Sequence, residues 1–240
     1  NATSTYFAMN LAGPHSRKVL QPLTKVNLKQ ESFPYLGIRE GTVADVPARL
    51  ARVGFVGELG YEIHLPVDGA ATVWDAIMEG GKSYGILPFG VEAQRILRLE
   101  KGHIIVGQDT DGLTRPDEAG MKWAVKMDKP FFVGQRSLAL VGKKNLDRRL
   151  VGFVLPKDYS GLEPRECNLV IEDGEMKGRV TSVNYSPTCE RLIGLAYTHP
   201  IDSESEATLQ IRLDDASVVE ATVVKTPFYD PENLRQNISD

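Results

Sequence analysis

Residues 57–62 read Gly-Glu-Leu-Gly-Tyr-Glu, and this stretch organises the first half of the 240-residue chain. Two glycines three positions apart predict a tight turn, because glycine adopts backbone angles that other residues avoid. Residues 61–65 then alternate apolar and polar side chains, which predicts a strand with one buried face. A carboxylate at Glu62, held by such a strand, is suited to accept a pair of N–H bonds. The local pattern is equally typical of an outward-facing strand residue.

Strands and helices alternate on both sides of this turn. We predict a strand over residues 6–11 and a short helix over residues 15–23. A two-stranded unit follows, whose first strand runs from Gly37 to Phe55 and whose second lies beyond the glycine turn. Asp68 is predicted to cap a helix, and the buried stripe of that helix comprises Val73, Trp74, Ile77 and Met78.

A second polar motif lies on the next predicted helix, which covers residues 92–101 and ends at Gly102. Arg95 and Arg98 are three positions apart on it, and an arginine fork can clamp a planar anion bidentately. Spacing alone slightly favours ordinary surface pairs with neighbouring glutamates. Further along, we predict a short helix after Thr114, with Pro116 in its first turn, and a last helix over residues 137–141.

Beyond Lys144 the sequence changes to short strands separated by turn residues. Six strands are predicted, over residues 150–155, 168–171, 177–183, 192–197, 208–213 and 218–224. These strands favour a small closed antiparallel barrel. The predicted fold class is therefore α+β, with a mixed sheet and helix domain over residues 1–144 and a six-stranded antiparallel β-barrel domain over residues 145–240.

Composition excludes several classes of function. The formal net charge is -4 and the basic residues are scattered, so we expect no nucleic-acid partner. No apolar run approaches the length of a membrane span, and no signal peptide is visible, so we expect a cytoplasmic protein without membrane partners. The four histidines never stand at ligand spacing, so no metal is expected. The acidic run 109–112 lacks most calcium ligands, which favours a solvated turn.

Three motifs in order resemble the aminomethyltransferase family, the glycine-cleavage T-protein group. They are RVGFVGELGYEI at residues 52–63, GVEAQRILRLE at 90–100 and TRPDEAGMKWAV at 114–125. Two further runs most resemble the C-terminal part of the alpha subunit of heterotetrameric sarcosine oxidase. These are KGHIIVGQDTDG at residues 101–112 and PFYDP at 227–231. The resemblance covers nearly the whole chain, which begins where the middle of the family begins, so the N-terminal third of the folate-binding domain is expected to be missing.

The resemblance implies a tetrahydrofolate site. Within the family, the position of Glu62 faces the pterin ring and the position of Arg95 is a second binding position. Phe55 stands where members of the family often carry tyrosine. Trp123 is a candidate for stacking on the ligand, with core filling as the favoured alternative, and Tyr229 is a candidate contact, with packing at a domain seam as the alternative.

The implied activity is transfer of a one-carbon unit to tetrahydrofolate, giving 5,10-methylenetetrahydrofolate, and no catalytic side chain is assigned. A sarcosine-oxidase-like alpha subunit would receive the carbon through a flavin-containing oxidase subunit. The first alternative is a stand-alone aminomethyltransferase supplied by a lipoyl carrier protein. The second is a non-catalytic folate-binding or assembly module.

Overall fold

The structure is a computed structural model that describes residues 1–200 and 206–238, and the chain forms two compact units. The first unit contains Asn1–Leu97 together with the C-terminal segment from Glu232, and the second contains Arg98–Pro231. Helices and a sheet make up the first unit, and the second includes a closed barrel, which confirms the predicted α+β class. The domain boundary between residues 144 and 145 stays a prediction.

Four antiparallel strands form the sheet of the first unit, in the order β1-β4-β3-β2. Their bounds are Tyr6–Ala12 for β1, Ile38–Val43 for β2, Val46–Ala51 for β3 and Gly60–Pro66 for β4. The prediction of one continuous strand from Gly37 to Phe55 is wrong. The chain reverses at Ala44 and Asp45, whose φ angles of 48° and 64° make a tight hairpin turn between β2 and β3.

The first unit contains α1 (Ser16–Leu20), α2 (Ala70–Gly81) and most of α3 (Val91–Glu100), whose last residues, from Arg98, belong to the second unit. Apolar residues of one sheet face form the core with α1 and α2, including Leu50, Tyr61, Ile63, Leu65, Val73 and Ile77. The predicted cap is wrong, because the cap position of α2 is Gly69 and Asp68 lies in the preceding 3-10 turn. Trp74 is also misassigned to the buried stripe, since it is 44% exposed.

Six antiparallel strands form a closed barrel in the second unit, which confirms the predicted barrel, and their order is β10-β5-β8-β7-β6-β9. Their bounds are Arg149–Val154 (β5), Leu169–Glu172 (β6), Glu175–Ser186 (β7), Arg191–Thr198 (β8), Thr208–Arg212 (β9) and Val218–Val224 (β10). Asp173 and Gly174, both with positive φ, make the turn between β6 and β7. Apolar side chains from all six strands fill the interior.

The segment between α3 and the barrel is mostly irregular, and the short helix predicted after Thr114 does not form. Residues 115–121 make a single turn, in which the Met121 N–H donates to the Pro116 carbonyl at 2.7 Å. Gly120 then adopts a φ of 71°, which ends the turn as a left-handed residue ends a helix. A 3-10 turn follows at Lys122–Ala124, and α4 covers Gln135–Val141.

Candidate functional site

The glycine turn before β4 is fixed by backbone hydrogen bonds within the first unit. The Leu59 carbonyl accepts from the Gly13 N–H at 2.9 Å and from the Ser16 hydroxyl at 3.0 Å, and the Leu59 N–H donates to the Arg235 carbonyl. Gly57 has a φ of 83°, in the region that favours glycine. Hydrogen bonds with residues 13–16 and with the C-terminal segment therefore fix the start of β4. This sets the directions in which the side chains of the strand point.

The two glutamates of the motif have different environments. Glu58 forms an ion pair with Arg235, so it ties the C-terminal segment to the turn. Glu62 lies on β4 between the buried residues Tyr61 and Ile63 and points to the opposite face of the sheet. Its side chain is 39% exposed, and its Oε2 atom lies 3.2 Å from His64 Nε2. Glu62 is thus an outward-facing strand residue whose carboxylate retains acceptor capacity for a ligand.

The face that carries Glu62 is polar. Directly opposite Glu62 stand Asn10 on β1 and Ala51 on β3. In the next row His64 is opposed to Arg49. Arg49 in turn donates to Glu40 Oε1 from Nη2 at 2.9 Å, and this hydrogen bond raises the pKa of Arg49 above its ordinary value. A carboxylate, an amide and charged groups therefore share one face of the sheet.

Asn10 is a polar residue that the sequence analysis missed. Its Oδ1 atom is buried and accepts no hydrogen bond within the part of the chain that the structure describes. Asn10 also lines a cavity of about 580 Å³ in the first unit, together with apolar and aromatic residues such as Phe7, Trp74, Tyr84 and Phe89. The polar position between Met9 and Leu11 in a predicted strand was a signal, but the partner strand was not readable from the sequence.

Two of the other predicted residues also belong to the first unit. Arg95 lies on α3, where its Nη1 is 3.6 Å from Glu92 Oε1 and its side chain is 42% exposed, so the surface pair with Glu92 that the spacing favoured does form. Phe55 is half-buried in the loop between β3 and β4. Roles for Glu62, Arg95 and Phe55 in ligand binding remain predictions.

Trp123 and Tyr229 belong to the second unit. Trp123 lies in the 3-10 turn Lys122–Ala124 and is 65% exposed, so the alternative of core filling is wrong for this unit. The Tyr229 N–H donates to the Glu100 carbonyl at 3.0 Å, and its ring is half-buried. Their roles as ligand contacts also remain predictions.

A buried polar cluster in the second unit corrects two interpretations of the sequence. Asp109 is fully buried rather than part of a solvated turn, and Arg98, 2% exposed, pairs with it at 2.7 Å rather than with a surface glutamate. The Asp109 oxygens also accept from the Thr181 and Ser182 hydroxyls, both at 2.6 Å, and from the Ile105 N–H at 2.8 Å. Because the protein fills the acceptor sites of Asp109, this carboxylate has a structural role and is not available to bind a ligand.

Neither a metal centre nor a membrane span is found in residues 1–200 and 206–238. These residues contain no group of three or more histidine, cysteine, aspartate or glutamate side chains arranged to hold a metal ion. None of their helices is both long enough and apolar enough to cross a bilayer.

Two family models match successive parts of the chain. Residues 1–129 match the GCVT N-terminal domain, and residues 148–230 match the glycine cleavage T-protein C-terminal barrel domain. The chain belongs to the glycine cleavage T-protein family. An aminomethyltransferase of Halothermothrix orenii is 37% identical over 228 residues, which are 95% of this chain and 62% of that protein.

Larger relatives contain a similar sequence as one part of their length. The sarcosine oxidase subunit alpha of Corynebacterium sp. strain P-1 is 34% identical over 99% of this chain and 25% of its own length. The mitochondrial dimethylglycine dehydrogenase of Mus musculus is 30% identical over 99% of this chain and 27% of its own length. The chain thus spans less than two thirds of each of these relatives.

A solved structure shows the same fold. The glycine cleavage system aminomethyltransferase T from Bartonella henselae aligns with a TM-score of 0.80 at 23% sequence identity. The alignment covers 94% of this chain and 60% of that one. The family assignment and the α+β fold with its barrel are therefore consistent with each other.

Proposed function

We propose that this chain binds tetrahydrofolate through Glu62 and serves in the transfer of a one-carbon unit that gives 5,10-methylenetetrahydrofolate. The observation that carries the proposal is the Glu62 carboxylate, which is fixed on β4 by the glycine turn yet is only partly engaged by the protein. A carboxylate of this kind accepts two parallel N–H bonds, and the amino-pyrimidinone edge of a pterin offers an amino group and an adjacent ring N–H.

The other proposed contact residues also suit the chemistry of this ligand. The buried Asn10 Oδ1, which accepts no hydrogen bond from the described residues, adds a second acceptor beside Glu62. Arg95 adds a cation on α3, suited to the anionic or polar atoms of the folate. Phe55, Trp123 and Tyr229 are retained as proposed aromatic contacts. When bound, tetrahydrofolate supplies the nitrogen that accepts the carbon. The role of the protein is to orient the ring and exclude water.

The partner that supplies the carbon is proposed from the relatives. Similarity to a sarcosine oxidase subunit alpha and to a dimethylglycine dehydrogenase supports a flavin-containing oxidase partner. The proposed role of the chain is then the folate-binding part of a sarcosine-oxidase-like alpha subunit, and the location that we propose for it is the cytoplasm. The 37% identity to an aminomethyltransferase supports a stand-alone enzyme served by a lipoyl carrier protein as the second candidate. A non-catalytic folate-binding module is the outcome if the chain binds folate without turnover in either setting.

Calorimetric titration with tetrahydrofolate tests the proposal. Replacement of Glu62 by glutamine removes one charge-assisted pair, so affinity is expected to fall by about 1.5–3 kcal/mol, which is about ten- to 150-fold. The matched control is Glu40→Gln, which removes a carboxylate from the same sheet face in the neighbouring row. That control should bind as the wild type does. A wild-type chain that does not bind tetrahydrofolate, or a Glu62→Gln variant with unchanged affinity, would contradict the proposal.

A further inference from the structure

The side-chain oxygen of Asn10 is a hydrogen-bond acceptor for which the described residues supply no donor. Its Oδ1 atom is buried without a hydrogen bond among residues 1–200 and 206–238. A buried acceptor without a donor costs free energy, and buried polar atoms in folded proteins are nearly always satisfied. The neighbouring apolar positions Met9 and Leu11 belong to the core, so an apolar residue of similar volume at position 10 would avoid that cost. We therefore expect the Asn10 Oδ1 atom to accept a hydrogen bond from a molecule outside the chain.

The position of Asn10 indicates which donor this is. Asn10 on β1 stands directly opposite Glu62 on β4, and directly opposed residues share a face, with Cβ atoms about 4.5–5.5 Å apart. A planar amino group that donates both hydrogens over bonds of about 2.9 Å needs two acceptor oxygens about 5 Å apart. The oxygens of Asn10 and Glu62 can therefore flank a single exocyclic amino nitrogen.

We infer that Asn10 is a specificity-determining residue that accepts the second hydrogen of the 2-amino group of the pterin, while Glu62 accepts the first hydrogen and the adjacent ring N–H. The inference rests on the proposed function, since it names a further contact of the same site. Together the two side chains read the amino group from both sides. A ring without this group offers no donor to the Asn10 acceptor.

Two probes, two substitutions of Asn10 and one control variant test the inference. The probes are tetrahydrofolate and its analogue in which a methyl group replaces the 2-amino group. Asn10→Ala is expected to weaken tetrahydrofolate binding about three- to tenfold and to leave binding of the analogue unchanged. Asn27→Ala is the matched control, because Asn27 is an exposed asparagine of the same unit whose Nδ2 donates to the Ser32 hydroxyl. It should change neither affinity.

The melting temperature of the ligand-free protein gives a second test, because it is not expected to fall when tetrahydrofolate affinity falls. Because the described residues supply no donor to the Asn10 Oδ1 atom, Asn10→Leu is expected to keep or raise the melting temperature while it lowers tetrahydrofolate affinity. A merely structural asparagine would lower both. Equal losses for the two probes in Asn10→Ala, or no loss for either, would overturn the inference while the proposed function stands. A wild-type chain that binds no tetrahydrofolate would overturn the proposed function, and the inference with it.

Discussion

The open face of the four-stranded sheet and the buried polar cluster around Asp109 use their carboxylates in opposite ways. Asp109 is fully buried, and its two oxygens accept from a guanidinium, two hydroxyls and a backbone N–H. The Glu62 side chain is 39% exposed, and its Oε2 atom lies 3.2 Å from His64 Nε2. A carboxylate whose acceptor sites are filled by the protein stabilises the fold, whereas one with free sites on a rigid strand can serve a ligand.

The largest effect that separates the two carboxylates should come from Asp109→Ala. This change leaves the Arg98 guanidinium buried without its counter-charge, and removal of one partner of a buried pair costs about 3–5 kcal/mol. Chemical denaturation followed by circular dichroism measures the loss. Asp111→Ala is the control, since Asp111 lies two residues away and is exposed, and its unfolding midpoint should stay close to that of the wild type. Equal unfolding midpoints for Asp109→Ala and Asp111→Ala would contradict the structural role of Asp109.

The turn that leads from α3 towards Asp109 offers a smaller effect. Gly102 has a φ of 64°, and a Cβ atom added there would lie 2.8 Å from the Thr226 Cβ atom. Gly102→Ala therefore combines backbone strain with a steric clash, and we expect a loss of about 1–3 kcal/mol in the free energy of unfolding.

The matched control for this substitution is Gly112→Ala. Gly112 lies in the same irregular segment, and a Cβ atom there would have open space around it. The melting temperature of Gly112→Ala should therefore match that of the wild type. If Gly102→Ala is equally neutral, the turn does not hold the buried cluster in its place.

The smallest effect concerns two other carboxylates of the second unit, whose pKa values are lowered by local hydrogen bonds. The Thr114 hydroxyl lowers the pKa of Asp111, and the Arg115 guanidinium lowers that of Asp117. Because the pKa is lower in the folded state, each contribution to stability is complete above the ordinary value and is lost as pH falls through the folded value.

Carbon NMR titration of the carboxyl groups checks this prediction. Both midpoints should lie below about 3.9, the ordinary value for aspartate. Arg115→Ala should raise the midpoint of Asp117, whose main partner it removes, and should leave that of Asp111 nearly unchanged. Midpoints at the ordinary value in the wild-type chain would show that these surface contacts do not persist in solution.

Much of the fold was predictable from local pattern. Alternation and turn residues gave all six strands of the barrel, because each hairpin carries its own signal, as Asp173 and Gly174 do between β6 and β7. The hairpin at Ala44 and Asp45 was missed, since neither residue is glycine and only the observed positive φ angles reveal the turn. The helix expected after Thr114 failed because Gly120 ended it after one turn.

The candidate site was predictable only in part, for a similar physical reason. Glu62 follows a glycine turn that is visible in the sequence, and its outward direction follows from strand alternation. Asn10 and Asp109 were missed or misread because their environments depend on residues far along the chain. Asn10 meets Glu62 through strand pairing over 52 positions, and Asp109 meets Ser182 over 73. Contacts of this range are set by tertiary packing, which local periodicity does not report.

The most direct test of the central claim compares thermal and chemical unfolding of the wild type and Glu62→Gln, each with and without tetrahydrofolate. Without ligand the two proteins should unfold together, because Glu62 is partly exposed and outside the core. With folate at 100 times the wild-type Kd, the wild type should gain about 2.7 kcal/mol of stability and a variant of hundredfold lower affinity about 0.4 kcal/mol. Ligand-free curves that already differ by several kcal/mol, or equal gains with folate, would contradict the claim that Glu62 is held for a ligand.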